Sequence, residues 1–349
     1  MTIRLRTAFF IILGLLLVWF LFIERGILRP FIIAGIFAYI FNPTVNFFSE
    51  KIKLPRIISI VIIYALLIGL FVGLGIVLTQ RITAESDDIR TYANQLLYTA
   101  NAQLYTLPDW LKPTVNDLLF TVRRGSFFTP TSIVPFFPQA ISRVVSFIIF
   151  IFSAFYLLKD GESGIKRILQ FVPKYYRSDV KMLLDKINAV LGGYLRGQVF
   201  LVFLMSVFTF IALSIIGVRF ALVIAIFSGF AEIVPVIGPI IAATVAIVVV
   251  LVTGTANFGL PPVNAAIVVA VTYFILRHLE DYFVIPEIMG KITKLPPFII
   301  FFAVIAGGHL WGVLGLILAV PIAAIIKILL GYSFEQINRS HYSKAPGSE

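Results

Sequence analysis

The feature that most limits what this chain can fold into is a series of apolar runs that fills most of its length. Six of them, at 8–23, 27–41, 57–79, 141–158, 198–217 and 263–285, have the length of one bilayer crossing, for which about 20 apolar residues are needed. Two more, 219–253 and 298–330, are too long for a single crossing. The first is interrupted at Pro235, Gly238 and Pro239, the second by Gly307-Gly308-His309-Leu310-Trp311-Gly312 and later by Pro321. With 60% hydrophobic residues, 13% charged residues and a mean hydropathy of +1.01, the 349-residue chain lies far from soluble globular composition. The pattern predicts an all-α, polytopic transmembrane helix bundle with soluble helical inserts. It has about eight membrane segments, two of them broken into re-entrant hairpins.

The predicted organisation is transmembrane helices over 1–80, an extracytoplasmic helical insert at 81–140, a membrane core over 141–335 and a cytoplasmic tail at 336–349. Within the core, 160–195 is predicted as a cytoplasmic amphipathic segment. The start, "MTIRLRTAFFIILGLLLVWFLF", has the basic opening of a signal peptide. No small-residue cleavage site follows, and Glu24 and Arg25 lead into the next apolar run, so it is expected to be retained as a helix.

The formal charge of +11 is spread between apolar runs rather than along one basic stripe, which favours lipid headgroups over nucleic acid as the partner of the Lys and Arg residues. With the amino terminus in the cytoplasm, Arg4, Arg6, Lys51, Lys53, Arg56, Lys159, Lys166, Arg167, Lys174, Arg177, Lys181 and Lys186 share one side. If the broken runs turn back, Lys291 and Lys294 join them and "GTANFGLPP" faces outward; if each crosses once, those sides reverse. The charge bias favours the hairpins.

Two soluble stretches carry helical periodicity. Ile89, Tyr92, Leu96, Leu97, Ala100 and Leu104 form one apolar stripe, and Val115, Leu118, Leu119 and Val122 a second, suited to packing on each other or on a neighbouring subunit. After Pro173, Ser178 is the expected N-cap of a helix whose stripe is Val180, Leu183, Leu184, Ile187, Leu191 and Tyr194, with Asp179 at its positive end. That helix is expected to lie along the membrane surface before entering it.

With no cysteine, disulfides and thiol chemistry are excluded. The three histidines, His278, His309 and His341, lack metal-ligand spacing, and neither HExxH, GxSxG, Walker A nor GxGxxG occurs. No enzyme, cofactor or metal is expected, with an intramembrane hydrolase as the residual enzymatic alternative.

Inside a bilayer each unpaired backbone group costs several kcal/mol, so the break in "AEIVPVIGPI" survives only where protein or a water-filled cavity satisfies it. Pro235 removes a donor, and Gly238 before Pro239 permits a sharp turn. Broken helices of this kind line solute and ion paths in transporters, and Glu232 stands at the break. A shallow tip from which Glu232 reaches an interface is the alternative. Gly307, Gly308 and Gly312 mark the second break and, with Gly315, allow close backbone approach, and Gly308 to Gly312 has small-xxx-small packing spacing. In "RHLEDYFVIPEIMGK", Arg277, Glu280 and Asp281 share one turn, making an Arg277 to Asp281 pair available. In "GGYLRGQ", Gln198 is placed at the mouth of a span, facing either a polar solute or a neighbouring helix.

In this order "GYLRGQ", "IVPVIGPI", "EDYFVIPEIMGK" and "GGHLWGVLGLILAVPIAAIIKIL" resemble the autoinducer-2 exporter family of bacterial permeases, over about 140–330. Residues 1–139 agree only in layout. The resemblance implies a multi-pass plasma-membrane protein with both termini cytoplasmic, forming homo-oligomers with the pentamer as candidate assembly. It implies export of a small polar signalling molecule or, in some members, exchange of Na+ for H+. Two positions depart from the family pattern: Arg277 replaces a usual Gln, and Pro296 a frequent His. Together these readings predict a gradient-driven transporter with Glu232, Gln198, Glu280, Arg277 and Asp281 along the path. Alternatives are a cation/proton antiporter and a membrane scaffold without transport.

Overall fold

The computed structural model describes residues 19, 23–84, 136–255, 257–289 and 295–342. The predicted first span is largely outside these, as are both amphipathic stripes of the 81–140 insert and Lys291 and Lys294. Helix α1 (Arg25–Asn46) runs into a π-helical turn at Phe47–Lys51, and α2 covers Arg56–Ala84. Then come α3 (Phe136–Phe171), a 3-10 turn at Lys174–Tyr176 and α4 (Arg177–Ile216). Two short helices, α5 (Ala221–Ala231) and α6 (Ile237–Thr253), precede α7 (Pro262–Leu279), which continues through a π-helical turn at Glu280–Val284 into α8 (Ile285–Met289). The last pair is α9 (Pro297–Trp311) and α10 (Val313–Tyr342).

Among the described residues there is no strand beyond one isolated antiparallel bridge, Val218 to Thr255. Among the described residues six helical stretches are long and apolar enough to cross a membrane, and α5, α6 and α9 are shorter apolar helices. The protein is therefore a polytopic helical bundle. Leu66, Phe71, Phe147, Phe152, Ile215 and Phe274 remain exposed, which suits a lipid-facing surface and not a water-facing one. Within the apolar helices Ser206, Thr244 and Thr272 each donate to the carbonyl four residues back, which gives these hydroxyls partners inside their own helix.

The chain forms two compact units. One comprises Met1–Ala65, Arg143–Val199 and Pro286–Glu349. In it Arg56 donates from Nε to the Leu158 carbonyl (2.8 Å) and from Nη2 to Asn42 Oδ1 (2.9 Å), tying α2 to α3 and α1. Tyr194, Leu195 and Val320 form a small core with Ile36, Tyr39 and Ile40 against it. Tyr332 donates to Asp179 Oδ2 at 2.8 Å, fixing the start of α4 to α10.

Some sequence expectations change here. Helix α4 begins at Arg177, one residue before the expected N-cap Ser178, and runs 40 residues. Gln198 lies buried within α4. Pro321, expected to break the last run, sits buried inside the continuous α10. The glycine contact between α9 and α10 is Gly307 against Gly315: a Cβ on Gly307 would lie 2.5 Å from the Gly315 carbonyl oxygen. Gly312 has open space around it and makes the turn instead, with φ of 62°, a conformation that glycine adopts freely.

The other unit comprises Leu66–Ser142 and Phe200–Ile285. Its core joins Leu213, Ile224, Ala246, Val250, Ala265 and Val269, so the end of α4 packs with α5, α6 and α7. Asn257 donates to the carbonyls of Ser214 and Ile215 at the end of α4, and the Val218 to Thr255 bridge draws together the start of α5 and the end of α6. Helices α5 and α6 therefore form a hairpin whose two outer ends meet on one side. At 1.5 Å per residue, the 11 residues of α5 reach only about 16 Å, roughly half of a hydrocarbon core about 30 Å thick. At that length α5 alone falls short of a crossing.

Candidate functional site

The tip is built from five residues. Helix α5 ends at Ala231, and Val234 donates back to Ala231 O (3.0 Å) while Gly238 donates to Val234 O (2.9 Å). Between them Ile237 donates to Pro235 O at 2.8 Å across Val236, whose φ of 68° and ψ of −53° make a classical γ-turn. A positive φ is unfavourable for a β-branched residue, at a cost of about 1–3 kcal/mol. The sequence assigned the turn's conformational demand to Gly238, but it falls on Val236. Gly238 is needed for closeness: a Cβ there would run into the Ala231 carbonyl. Pro239 stands in the first turn of α6, where its missing N–H has no helical partner to lose.

Glu232 follows α5 directly and lies beside the carboxyl of Glu280 and the guanidinium of Arg277. Arg277 Nη1 is 3.1 Å from Glu280 Oε2 and 3.6 Å from Glu232 Oε2. Its other edge holds Asp281 in a two-point pair, Nη2 to Oδ1 at 2.9 Å and Nε to Oδ2 at 3.1 Å. Side-chain exposure grades from 1% at Glu280 and 7% at Glu232 to 31% at Arg277 and 44% at Asp281. The guanidinium thus bridges two buried carboxyls and one at the rim. The π-helical turn starting at Glu280 sets this arrangement locally, and such turns recur at functional sites.

These residues line a cavity of about 530 Å³ within the second unit. Its other walls include Met205, Thr209, Ser228, Ile247 and Tyr273. Ser228 Oγ donates to Ile224 O (2.8 Å) and stands 2.7 Å from the Tyr273 hydroxyl, so the phenol supplies the proton of that second bond. Sequence reasoning missed Ser228 and Tyr273, although the signal was there. Ser228 precedes Glu232 by four residues and Tyr273 precedes Arg277 by four, which puts each on the same helix face as its charged partner.

Of the sequence-nominated residues, Glu232, Arg277, Glu280, Asp281 and Pro239 line this cavity. Gln198 belongs to the other compact unit, as do Gly307, Gly308 and Gly312. Among the described residues no group of three or more His, Cys, Asp or Glu side chains is arranged to hold a metal ion.

Chemically, the site sets three carboxyls against one guanidinium where the tip of an apolar hairpin meets the end of α7. Together with the spanning helices, that defines a multi-pass membrane protein of the transport class. The model of the AI-2E family of transporters matches residues 9–334, and the chain belongs to that family. It is 28% identical over 333 residues to the Bacillus subtilis protein named "Putative transport protein YrrI", covering 92% of this chain and 90% of that one. It is also 28% identical over 314 residues to "Putative transport protein YueF" of the same organism, covering 85% and 82%. "Putative permease PerM" of Escherichia coli K12 is 24% identical over 319 residues, covering 89% and 88%.

Proposed function

We propose that the protein is a gradient-driven transporter of the bacterial plasma membrane that exports a small polar solute, with the carboxyl cluster at the α5–α6 tip as the coupling site. The observation that carries this reading is the charge balance of the buried tip. Asp281 is half-exposed to solvent, but the buried Glu232 and Glu280 share the one Arg277 guanidinium, so with both ionised the buried group carries a net negative charge, which is costly in an apolar medium. Protons or cations must complete the site, and their entry and exit would couple a gradient to movement. The same excess favours cation/proton exchange as the second reading. A scaffold role would leave the strained Val236 turn and the buried acids without purpose.

In this reading Gln198 is a further polar contact on the path, and the 81–140 insert faces outward. The test is flux in proteoliposomes under imposed sodium and proton gradients, with internal pH followed. Wild-type protein is expected to move protons in response to the gradient, and Glu232→Gln to abolish the response. Unchanged flux in the variant would remove Glu232 from the mechanism; no coupled flux in correctly inserted wild type would overturn the reading.

A further inference from the structure

We propose that the cavity at the α5–α6 tip is a binding site for a small organic cation, a protonated amine carried on an apolar body. This deepens the transport reading and rests on it. A volume of about 530 Å³ falls in the range of about 300–1,000 Å³ that holds small organic molecules, and it exceeds by more than tenfold the roughly 30 Å³ that a single water occupies. A bare inorganic ion would leave nearly all of it unfilled. The carboxyls, moreover, do not form a metal-ligand set.

The walls divide by chemistry. Met205, Ile247, Ala270 and Phe274 offer apolar surface, while the acids gather around Arg277. Within that group Glu280 is buried, lines the cavity, and its Oε1 has no hydrogen-bond partner. A buried acceptor left bare is expensive, and it needs a donor from a ligand or a proton. Near the same wall the Tyr273 hydroxyl gives its proton to Ser228 and keeps its oxygen lone pairs as acceptors. An ammonium group has three donors and no acceptor, so it complements a wall of carboxyl and phenol oxygens. Either an ammonium or a proton offsets the net charge of the buried Glu232, Glu280 and Arg277 group, so amine and proton are alternative occupants of one balance.

Purified full-length protein in nanodiscs tests this with phenethylammonium as probe, 2-phenylethanol as its neutral counterpart, and sodium chloride, read by calorimetry. Phenethylammonium is expected to bind, at least tenfold more tightly than the alcohol. Glu280→Gln should weaken it at least tenfold, and so should Ala243→Phe, which fills the cavity from α6 and leaves the acids intact. Equal binding of the alcohol would show an apolar pocket without cation selectivity and overturn the proposal. So would amine binding that survives Ala243→Phe, or the absence of amine binding to the wild-type protein. If sodium- or proton-coupled flux persists while the amine does not bind, the amine assignment falls and the transport reading stands. Amine binding without coupled flux has the reverse meaning.

Discussion

Replacing Gly238 by alanine gives the sharpest test of how the tip is held. An alanine Cβ would overlap the Ala231 carbonyl, with the carbonyl carbon 2.5 Å away where ordinary contact begins at 3.4 Å. The obstacle is backbone at the end of α5, so no side-chain rotation relieves it. Relieving that contact alone requires the hairpin to open by about 0.9 Å, and the carbonyl oxygen lies closer still. Overpacking of this kind costs about 1–3 kcal/mol. At about 2–4 °C per kcal/mol for chains of some 150–250 residues, the melting temperature in detergent micelles should fall by about 2–12 °C. Gly73→Ala on α2 is the control: nothing lies within 4 Å of its Cβ, and an exposed helix glycine exchanged for alanine gains about 0.5–1 kcal/mol. The opening should also carry Glu232 away from Arg277, so coupled flux should fall more steeply than stability. A Gly238→Ala protein that melts and transports as wild type would refute the close approach and the tip geometry built on it.

Removing Arg277 should be far more costly than removing its rim partner. Arg277→Ala leaves Glu232 and Glu280 buried without a counter-charge, a loss of about 3–5 kcal/mol, whereas Asp281→Asn breaks a half-exposed pair worth about 0–1 kcal/mol; thermal unfolding of both variants compares them. Val236→Gly should raise the melting temperature, because relief of about 1–3 kcal/mol of strain outweighs the added chain freedom of about 0.5–1 kcal/mol. A lower melting temperature there would show that the γ-turn stores no strain. Gly315→Ala should destabilise by about 1–3 kcal/mol, since its Cβ meets the Gly307 backbone, while Gly308→Ala meets only the far end of Leu316 and should lose less than about 1 kcal/mol. The two melting curves decide between them.

Much of the architecture was legible because bilayer thickness imposes a length on each apolar run, and Pro235, Gly238 and Gly312 interrupt two of them where the chain turns. The turn geometry was not legible. A positive φ on Val236 contradicts local preference, so nothing in the residue types announces it. Pro321 misled for the opposite reason: a proline reads as a break, yet α10 continues past it in the packed interior. The grouping of Arg277, Glu280 and Asp281 followed from helical spacing, but their meeting with Glu232 depends on the fold of α5 against α7, which spacing cannot supply.

The bridge between Val218 and Thr255 makes the intervening stretch a counted length. With the outer ends joined, one residue inserted into α5 would turn Glu232 by about 100° and shift it by about 1.5 Å, carrying it off Arg277, and α6 could absorb none of the error. Substitutions can accumulate along the outer faces of this hairpin, but insertions and deletions between the bridge and the tip cannot. In relatives that keep the carboxyl cluster, the number of residues from bridge to glutamate should vary less than the amino acids themselves.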